Sequence, residues 1–339
     1  MCDYTIYLDR KDINDATSYY ISIIKEAIEK NGSNCNVTHS LERVPKSDIV
    51  IVVKATSFFR IKRRNPSQKT YIWFQGIQPE EIKSSNINRA AKLFYYLAFS
   101  NLEKFALRRS DLNIFVSDEM RKHYEKKYKS IKARSFIMPC FNCTLDKDKF
   151  FTRDKYESPN FVYAGSLDNW QCINQTLILF KEITKYLPDA ALTILTKEKE
   201  KAGRLANKYE IHNCEIKYVN KDEIQDELAK YKYGIVLRED IEVNRVATPT
   251  KLNSYMSVGL IPIVSTCLTD FIEHSTEVDE IIRIKDIEAY RTNALKIAEF
   301  NKKTINPNEI FESYSVFFGH YYNSEKYIGE LATILKELE

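Results

Sequence analysis

The chain has little net charge and no long hydrophobic run. Among its 339 residues, 51 Lys and Arg stand against 47 Asp and Glu, a formal charge of +4, so nucleic-acid binding would need a concentrated patch rather than a global excess. The uncharged run Leu93 to Leu102 is about half of what spans a bilayer, and any membrane contact is therefore expected to be peripheral. Cysteine is sparse and unpatterned. Its seven copies include one close pair, Cys140 and Cys143, with no second pair to complete a zinc site, which reads as reduced thiols in a cytosolic protein. A strand begins almost at Tyr4, so no signal peptide is expected. The five histidines, at 39, 123, 212, 274 and 320, show no metal-ligand spacing.

What is present is alternation of strand and helix patterns. In the first half, strands read at Tyr4 to Leu8, Asp48 to Val53, Tyr71 to Phe74, Leu112 to Val116 and Ser135 to Met138, with helices at Ser18 to Lys30, Asn88 to Arg109 and Ser117 to Tyr128. A second series runs through strands at Phe161 to Ala164, Ala191 to Thr196, Glu215 to Val219, Gly234 to Leu237, Ile261 to Val264 and Glu280 to Ile284. Repeated β-α-β units imply α/β architecture with parallel sheets. Between the halves, Pro139 to Pro159 breaks the pattern and reads as a linker. The expected organisation is a first domain over 1–145, a linker over 146–158, a second domain over 159–320 and a final helix over 321–339.

Arg238 to Ser265 is the most informative stretch. The apolar run Tyr233 to Leu237 ends at Arg238; Pro249 and Thr250 precede a helix from Lys251 to Val258; Gly259 ends that helix, and Leu260 to Val264 is the next strand. A helix starting at the carboxyl end of a parallel strand offers unpaired backbone N–H groups and partial positive charge, which suits a phosphate. Arg238 and Lys251 add full charges beside it.

This stretch resembles the donor-binding segment of bacterial two-Rossmann-domain glycosyltransferases, the retaining enzymes of capsule and lipopolysaccharide synthesis above all. In that family an arginine, Pro-Thr-Lys and a helix closing on glycine surround the diphosphate of a nucleotide sugar, which maps onto Arg238, Pro249, Thr250, Lys251 and Gly259. The resemblance implies two Rossmann-like domains facing each other across a cleft, the glycosyltransferase-B fold, with the final helix crossing back to the first domain. It also implies metal-independent, retaining transfer of a sugar from a nucleotide diphosphate donor, a UDP-sugar favoured, to a growing and lipid-linked surface glycan, with no cofactor. The family's two glutamates, eight positions apart, are replaced here by Val246 and Ser254. A nonenzymatic nucleotide-sugar or partner-binding protein and a nucleotide-sugar epimerase remain as alternatives.

Further candidates follow from the same placement. Gly165 and Ser166 form the turn leaving the first strand of the second half, followed by Trp170 and Gln171; Lys197 and Asn220 stand at the next two strand ends. Asn244, Arg245, Ser254 and Tyr255 flank the Pro-Thr-Lys segment and complete the expected donor set. In the first half, Gln75, Gly76 and Glu80 leave a strand where the family places groups beside the transferred sugar, and Asp15, in the loop 12–17, is a further acceptor-side candidate. Gln75 stands with Arg238 and Lys251 as a catalytic candidate, able to donate to a leaving oxygen. Asp146-Lys147-Asp148 matches a metal-holding Asp-x-Asp pattern but lacks the preceding buried strand that would aim both carboxylates at one ion. The basic run Arg60 to Arg64, read as a loop, is the candidate contact for anionic lipid at the inner face of the cell membrane. Ala91, Phe94, Ala98, Leu102 and Phe105 line one face of the Asn88 to Arg109 helix and are expected to be buried against a sheet, with a membrane-surface helix as the alternative reading.

Overall fold

The computed structural model describes residues 3–10, 13, 15–85, 87–129, 131 and 133–339, without the side chains of Asp15, Ala16 and Asn169. Residues 12 and 14 of the expected 12–17 loop, and the Asp15 side chain, therefore lie outside the described residues. The chain divides into two compact units, one formed by 1–142, 245–248 and 323–339 and the other by 143–244 and 249–322.

The first unit contains β1 (Tyr4–Tyr7), α1 (Asp15–Lys30), β2 (Cys35–Thr38), β3 (Ile49–Val52), α2 (Ala55–Arg64), β4 (Thr70–Phe74), α3 (Gln78–Lys83), α4 (Arg89–Arg109), β5 (Leu112–Phe115), α5 (Asp118–Tyr128) and β6 (Arg134–Ile137). Its six strands are parallel, in the order β2-β1-β3-β4-β5-β6. The continuous apolar runs are explained by burial on both faces: every residue of β3 and β4 is buried. Tyr20 of α1 stacks on Trp73 of β4 with ring centroids 3.7 Å apart, fixing the helix to the sheet.

Three local expectations change. β2 carried no clear signal because only Cys35 of its four residues is buried. The run Arg60 to Arg64 is the last turn of α2, not a loop: Ala55, Phe58 and Ile61 supply a buried helical face, and the cations sit at the end favoured by the helix dipole. They are also largely used by the fold. Arg60 pairs with Asp9, Lys62 donates to the Gln68 carbonyl and pairs with Asp111, and Arg64 donates to the Leu41 carbonyl. In α4 the expected face is only partly buried: Phe94 is 67% exposed, Phe105 packs on Phe58 and Phe59 of α2, and the fully buried positions are Glu103, Ala106 and Leu107. Periodicity identifies an apolar face but not what covers it.

The second unit contains α6 (Lys147–Phe150), β7 (Asn160–Ala164), α7 (Ile173–Thr184), β8 (Ala191–Leu195), α8 (Lys199–Lys208), β9 (Cys214–Lys217), α9 (Ile224–Leu228), β10 (Tyr233–Val236), α10 (Glu242–Arg245, its last residue grouping with the first unit), α11 (Thr250–Ser257), β11 (Ile261–Ser265), α12 (Thr269–His274), β12 (Ile282–Ile284), α13 (Tyr290–Asn301) and α14 (Pro307–His320). Its parallel sheet has the order β12-β11-β10-β7-β8-β9. Strand order reverses between β7 and β10, and the carboxyl ends of those two strands form the topological switch point where open α/β sheets bind ligands. The chain ends with α15 (Ser324–Leu338), which belongs to the first unit and packs on α1, where Asn31 donates to the Ala332 carbonyl at 2.7 Å.

Much of the stretch expected as a linker is built into the second unit, because it holds the end of α11. Phe150 is fully buried, and Lys155, 3% exposed, donates to the Phe150 and Val258 carbonyls at 2.6 Å. Gly259 and Leu260 close α11 by donating to the Met256 and Tyr255 carbonyls, the paired bonds of a Schellman cap. That cap requires the left-handed backbone Gly259 adopts, φ +82°, and a Cβ there would lie 2.9 Å from the Tyr156 hydroxyl. Among the described residues no helix is long and apolar enough to cross a membrane.

Gly259→Ala is expected to lower the unfolding free energy by about 1–2 kcal/mol, the cost of a left-handed L-residue, with crowding against Tyr156 adding to it. Urea denaturation monitored by tryptophan fluorescence checks this; an unchanged midpoint would show that the cap is not under conformational constraint.

Candidate functional site

At the switch point the second unit concentrates positive charge around one neutral oxygen. Arg238 follows β10 by two residues, Lys251 is the second residue of α11, and both donate to Oε1 of Gln171 at 2.7 Å. Arg238 is 5% exposed; its backbone N–H donates to Ser265 Oγ at 2.8 Å and its Nη1 to the Leu237 carbonyl at 2.7 Å. Lys251 lies over the Tyr163 ring, 4.5 Å from its centroid. Burial pushes the Lys251 ammonium well below the ordinary lysine range, and the Arg238 charge adds to that shift; burial also lowers Arg238. Among the described residues neither cation lies within ion-pair distance of a carboxylate. Two desolvated charges of one sign sharing an amide oxygen are a costly arrangement that an anion would relieve.

The backbone completes the anion-favouring geometry. Pro249 caps α11 with no side-chain hydrogen bond to the first-turn N–H groups, so the Thr250 and Lys251 amides begin the helix uncapped. Gly165 comes close beneath: its φ is +137°, and a Cβ would sit 2.6 Å from both Cε and Nζ of Lys251. The following turn is pinned by its own bonds, with Tyr163 Oη donating to the Ser166 carbonyl, Ser166 Oγ to Asp168 and the Leu167 amide to Glu198. Arg238 also lines a cavity of about 290 Å³, together with Lys285 and with Glu239, Asp240, Asp286 and Glu288. Its carboxylates would repel an anion, which leaves the Gln171 side as the attractive one.

The structure thus brings Arg238, Lys251, Gly165, Pro249 and Thr250 together. Ser166 and the half-exposed Trp170 border them. Lys197, over the Tyr218 ring, and Asn220 are exposed beyond β8 and β9, one and two strands out from β7. Two expected ligand contacts belong to the scaffold instead. Tyr255 is fully buried, accepts the Ala164 N–H and packs so tightly on Gly234 that a Cβ there would lie 2.3 Å from its ring; Asn244 is buried and donates to the Glu239 carbonyl. Arg245 is exposed and groups with the first unit, as does Val246, a buried residue whose carbonyl accepts from Ser117. Ser254 is partly buried in α11, 3.9 Å from Cys143 Sγ. Sequence reasoning missed Tyr163 and Ser265, which hold the cations from strands lacking any charged signal. The Asp146 carboxylate caps α6 by accepting from the Lys149 amide at 3.1 Å.

The first unit holds a separate cavity of about 310 Å³ lined by Val53, Lys54, Gln75, Gly76, Glu81 and Glu103. Gln75 Nε2 is buried without a hydrogen-bond partner among the described residues, a donor left for a ligand oxygen. The Glu81 carboxylate presses on Gly76, where a Cβ would lie 2.4 Å from Oε1. Glu80 is 4% exposed and internally paired, accepting from Lys127 at 2.7 Å with His123 at 3.6 Å. Burial pushes its pKa up, but those two partners outweigh it and hold the carboxyl below its usual range. Glu80 therefore anchors α3 rather than presenting a free carboxylate.

No family model and no curated protein sequence matches the chain. Solved structures do. An Escherichia coli trehalose-6-phosphate structure bound with UDP-2-fluoro glucose superposes with a TM-score of 0.69 at 10% identity, over 99% of this chain and 98% of that one. The pneumococcal O-GlcNAc transferase GtfA in complex with UDP and GlcNAc gives 0.63 at 12%, over 88% and 58%. A Thermobaculum terrenum O-GlcNAc transferase gives 0.63 at 10%, over 99% and 66%. At such identities the likeness establishes the fold: two Rossmann-like units of the glycosyltransferase-B type.

Glu103 gives the first unit's cavity a pH signature. Burial raises its carboxyl to about 7, although Lys127, Tyr128 and Tyr124 oppose the shift. Tyr128 donates to Oε2 at 2.8 Å, and the Tyr124 hydroxyl lies 3.1 Å from Oε1. A folded pKa above the unfolded one means that this group's stabilisation is complete below about pH 4.5 and is lost as pH rises through about 7. Glu103→Gln is expected to remove that dependence, so that variant minus parent stability increases by on the order of 2–3 kcal/mol between pH 4.5 and 8. Urea unfolding at the two pH values decides it; a constant difference would mean that Glu103 does not titrate there.

Proposed function

We propose that the second unit binds the diphosphate of a nucleotide sugar, a UDP-sugar, between Arg238, Lys251 and the first turn of α11, and that the protein is a glycosyltransferase passing the sugar to a glycan acceptor. The observation that carries this reading is the pair of cations on Gln171 Oε1, Arg238 buried and Lys251 partly buried, with no carboxylate within ion-pair distance among the described residues. A diphosphate oxygen in place of that amide oxygen would receive both charges and the uncapped N–H groups. These interactions strengthen as the bond between the anomeric carbon and the diphosphate oxygen breaks, because negative charge then grows on the departing oxygen. The acceptor hydroxyl oxygen forms the new bond to that carbon, and its proton leaves with the diphosphate. Support also comes from the neighbours of the same fold that hold UDP or a UDP-sugar analogue.

Retention of configuration, a lipid-linked surface glycan of the capsule or lipopolysaccharide kind as acceptor, and independence from metal form the finer part of the proposal. They rest on the arginine and Pro-Thr-Lys arrangement and on fixed protein cations doing what a divalent ion does elsewhere. The cavity beside Gln75 and Gly76 has the polar lining a sugar hydroxyl needs. The replacement of both glutamates by Val246 and Ser254 favours one competing reading, a nonenzymatic nucleotide-sugar binder. Release of UDP from a UDP-sugar by the purified protein separates the two.

Arg238→Ala and Lys251→Ala are each expected to lower turnover roughly a hundredfold and to weaken UDP binding measured by calorimetry. The double variant should lose less than the summed singles, since both cations act on one diphosphate. Neither should lower the unfolding midpoint, because each removes a desolvated charge that repels the other. Folded single variants that bind UDP within a few-fold of the parent would falsify the diphosphate site. Transfer is expected to persist in excess chelator; activity abolished by chelator and restored by magnesium or manganese would overturn metal independence.

A further inference from the structure

The start of α4 presents large apolar side chains to solvent. Leu93 is 61% exposed, Phe94 67% and Leu97 51%, and their spacing puts all three on one stripe of the helix. The helix start is firmly made, since Asn88 Oδ1 accepts from the Ala91 amide at 2.8 Å. The stripe is therefore a surface of an ordered element and not a frayed end.

Charge around the stripe indicates what covers it. From Gln78 to Arg109 the chain carries Lys83, Arg89, Lys92, Lys104, Arg108 and Arg109 against three carboxylates. Of these, Glu80 and Glu103 are buried, and Glu81 presses on Gly76 beside the cavity. Between Ser84 and Leu102 there is no carboxylate at all. Arg89 is exposed beside the stripe, and Lys92 holds the α3 end by donating to the Lys83 carbonyl at 3.1 Å. An apolar stripe on helix turns that carry cations and no carboxylate, the one exposed carboxylate of the segment being Glu81 on α3, is complementary to an anionic lipid surface.

We propose that the first turns of α4 dock on an anionic bilayer, with Leu93, Phe94 and Leu97 entering the boundary of the acyl chains and Arg89 and Lys92 meeting the headgroups. This deepens the reading of a lipid-linked acceptor, and its test uses no donor or acceptor, so its failure would leave the diphosphate site standing. The helix lies on the surface, and attraction through the α2 cations is secondary, since the fold already engages most of them.

The experiment is flotation of the full-length protein with phosphatidylglycerol–phosphatidylcholine vesicles and with phosphatidylcholine alone. The parent is expected to float with the anionic vesicles and to retain most binding when salt is raised well above physiological strength, because apolar insertion is not screened. The combined variant Leu93→Ser, Phe94→Ser, Leu97→Ser should lose at least tenfold in partition with an unchanged unfolding midpoint, since its residues are exposed. Arg89→Gln with Lys92→Gln should weaken binding a few-fold, chiefly at low salt. Parent protein that stays off anionic vesicles, or a serine variant that binds as the parent does, overturns the proposal. So does a concentration-dependent dimer, seen by light scattering, that the serine variant abolishes, for the stripe would then be covered by a second copy.

Discussion

The electrostatic conflict at Gln171 is the constraint on which the rest of the second unit depends. Arg238 and Lys251 each lose hydration, repel one another and share a neutral acceptor. Such a pair survives only where surrounding structure enforces it. Here Ser265 receives the Arg238 amide, the Leu237 carbonyl holds its guanidinium, Tyr163 lies beneath the Lys251 ammonium, and Gly165 leaves room for that side chain. Further out, Tyr255 joins α11 to β7 through the Ala164 amide and to β10 through Gly234, while Lys155 and the Gly259 cap hold the far end of α11. The helix carrying Lys251 is thus held through its second half and at its carboxyl end, and a fixed helix axis is what a preorganised anion site requires.

How much was legible in the sequence follows from the range of each interaction. Arg238, Pro249, Thr250 and Lys251 could be placed because strand ends and helix starts are written locally, by an apolar run, a proline and a closing glycine. Gln171 meets Arg238 across 67 positions and Lys251 across 80, and no local pattern announces which oxygen two distant cations will share. Tyr255 looked like a ligand contact through proximity to Lys251, yet its helical position turns it into the core. The 146–158 stretch looked like a linker because charge dominates its composition and Pro139 and Pro159 bracket the wider segment, while the residues that bury it, Phe150 and Lys155, are few.

The first unit shows the same division. Its sheet was readable because β1, β3, β4 and β5 are uniformly buried and mostly apolar, whereas the partners of its helices were not. The pairing of Glu80 with Lys127, and of Glu103 with two tyrosines, depends on α3, α4 and α5 coming together. The consequence is chemical. Two buried glutamates near one lysine are driven apart, Glu80 below the usual carboxylate range and Glu103 above it, so the ionised one anchors the scaffold and the protonatable one borders the cavity.

The missing glutamate at position 254 bears directly on the cation pair. Ser254 lies three residues beyond Lys251 in α11, a spacing at which side chains are neighbours on a helix. A glutamate there would stand within reach of the ammonium and would compensate part of its charge before any ligand arrived. Serine supplies a hydroxyl but no charge, so the positive potential at the start of α11 stays uncancelled within that helix, whose eight residues contain no carboxylate. The substitution that weakens the family likeness therefore strengthens the demand for an external anion. On the proposed reading, recognition would then depend less on hydroxyl groups held by a carboxylate and more on the phosphates, whose charge the two cations would attract.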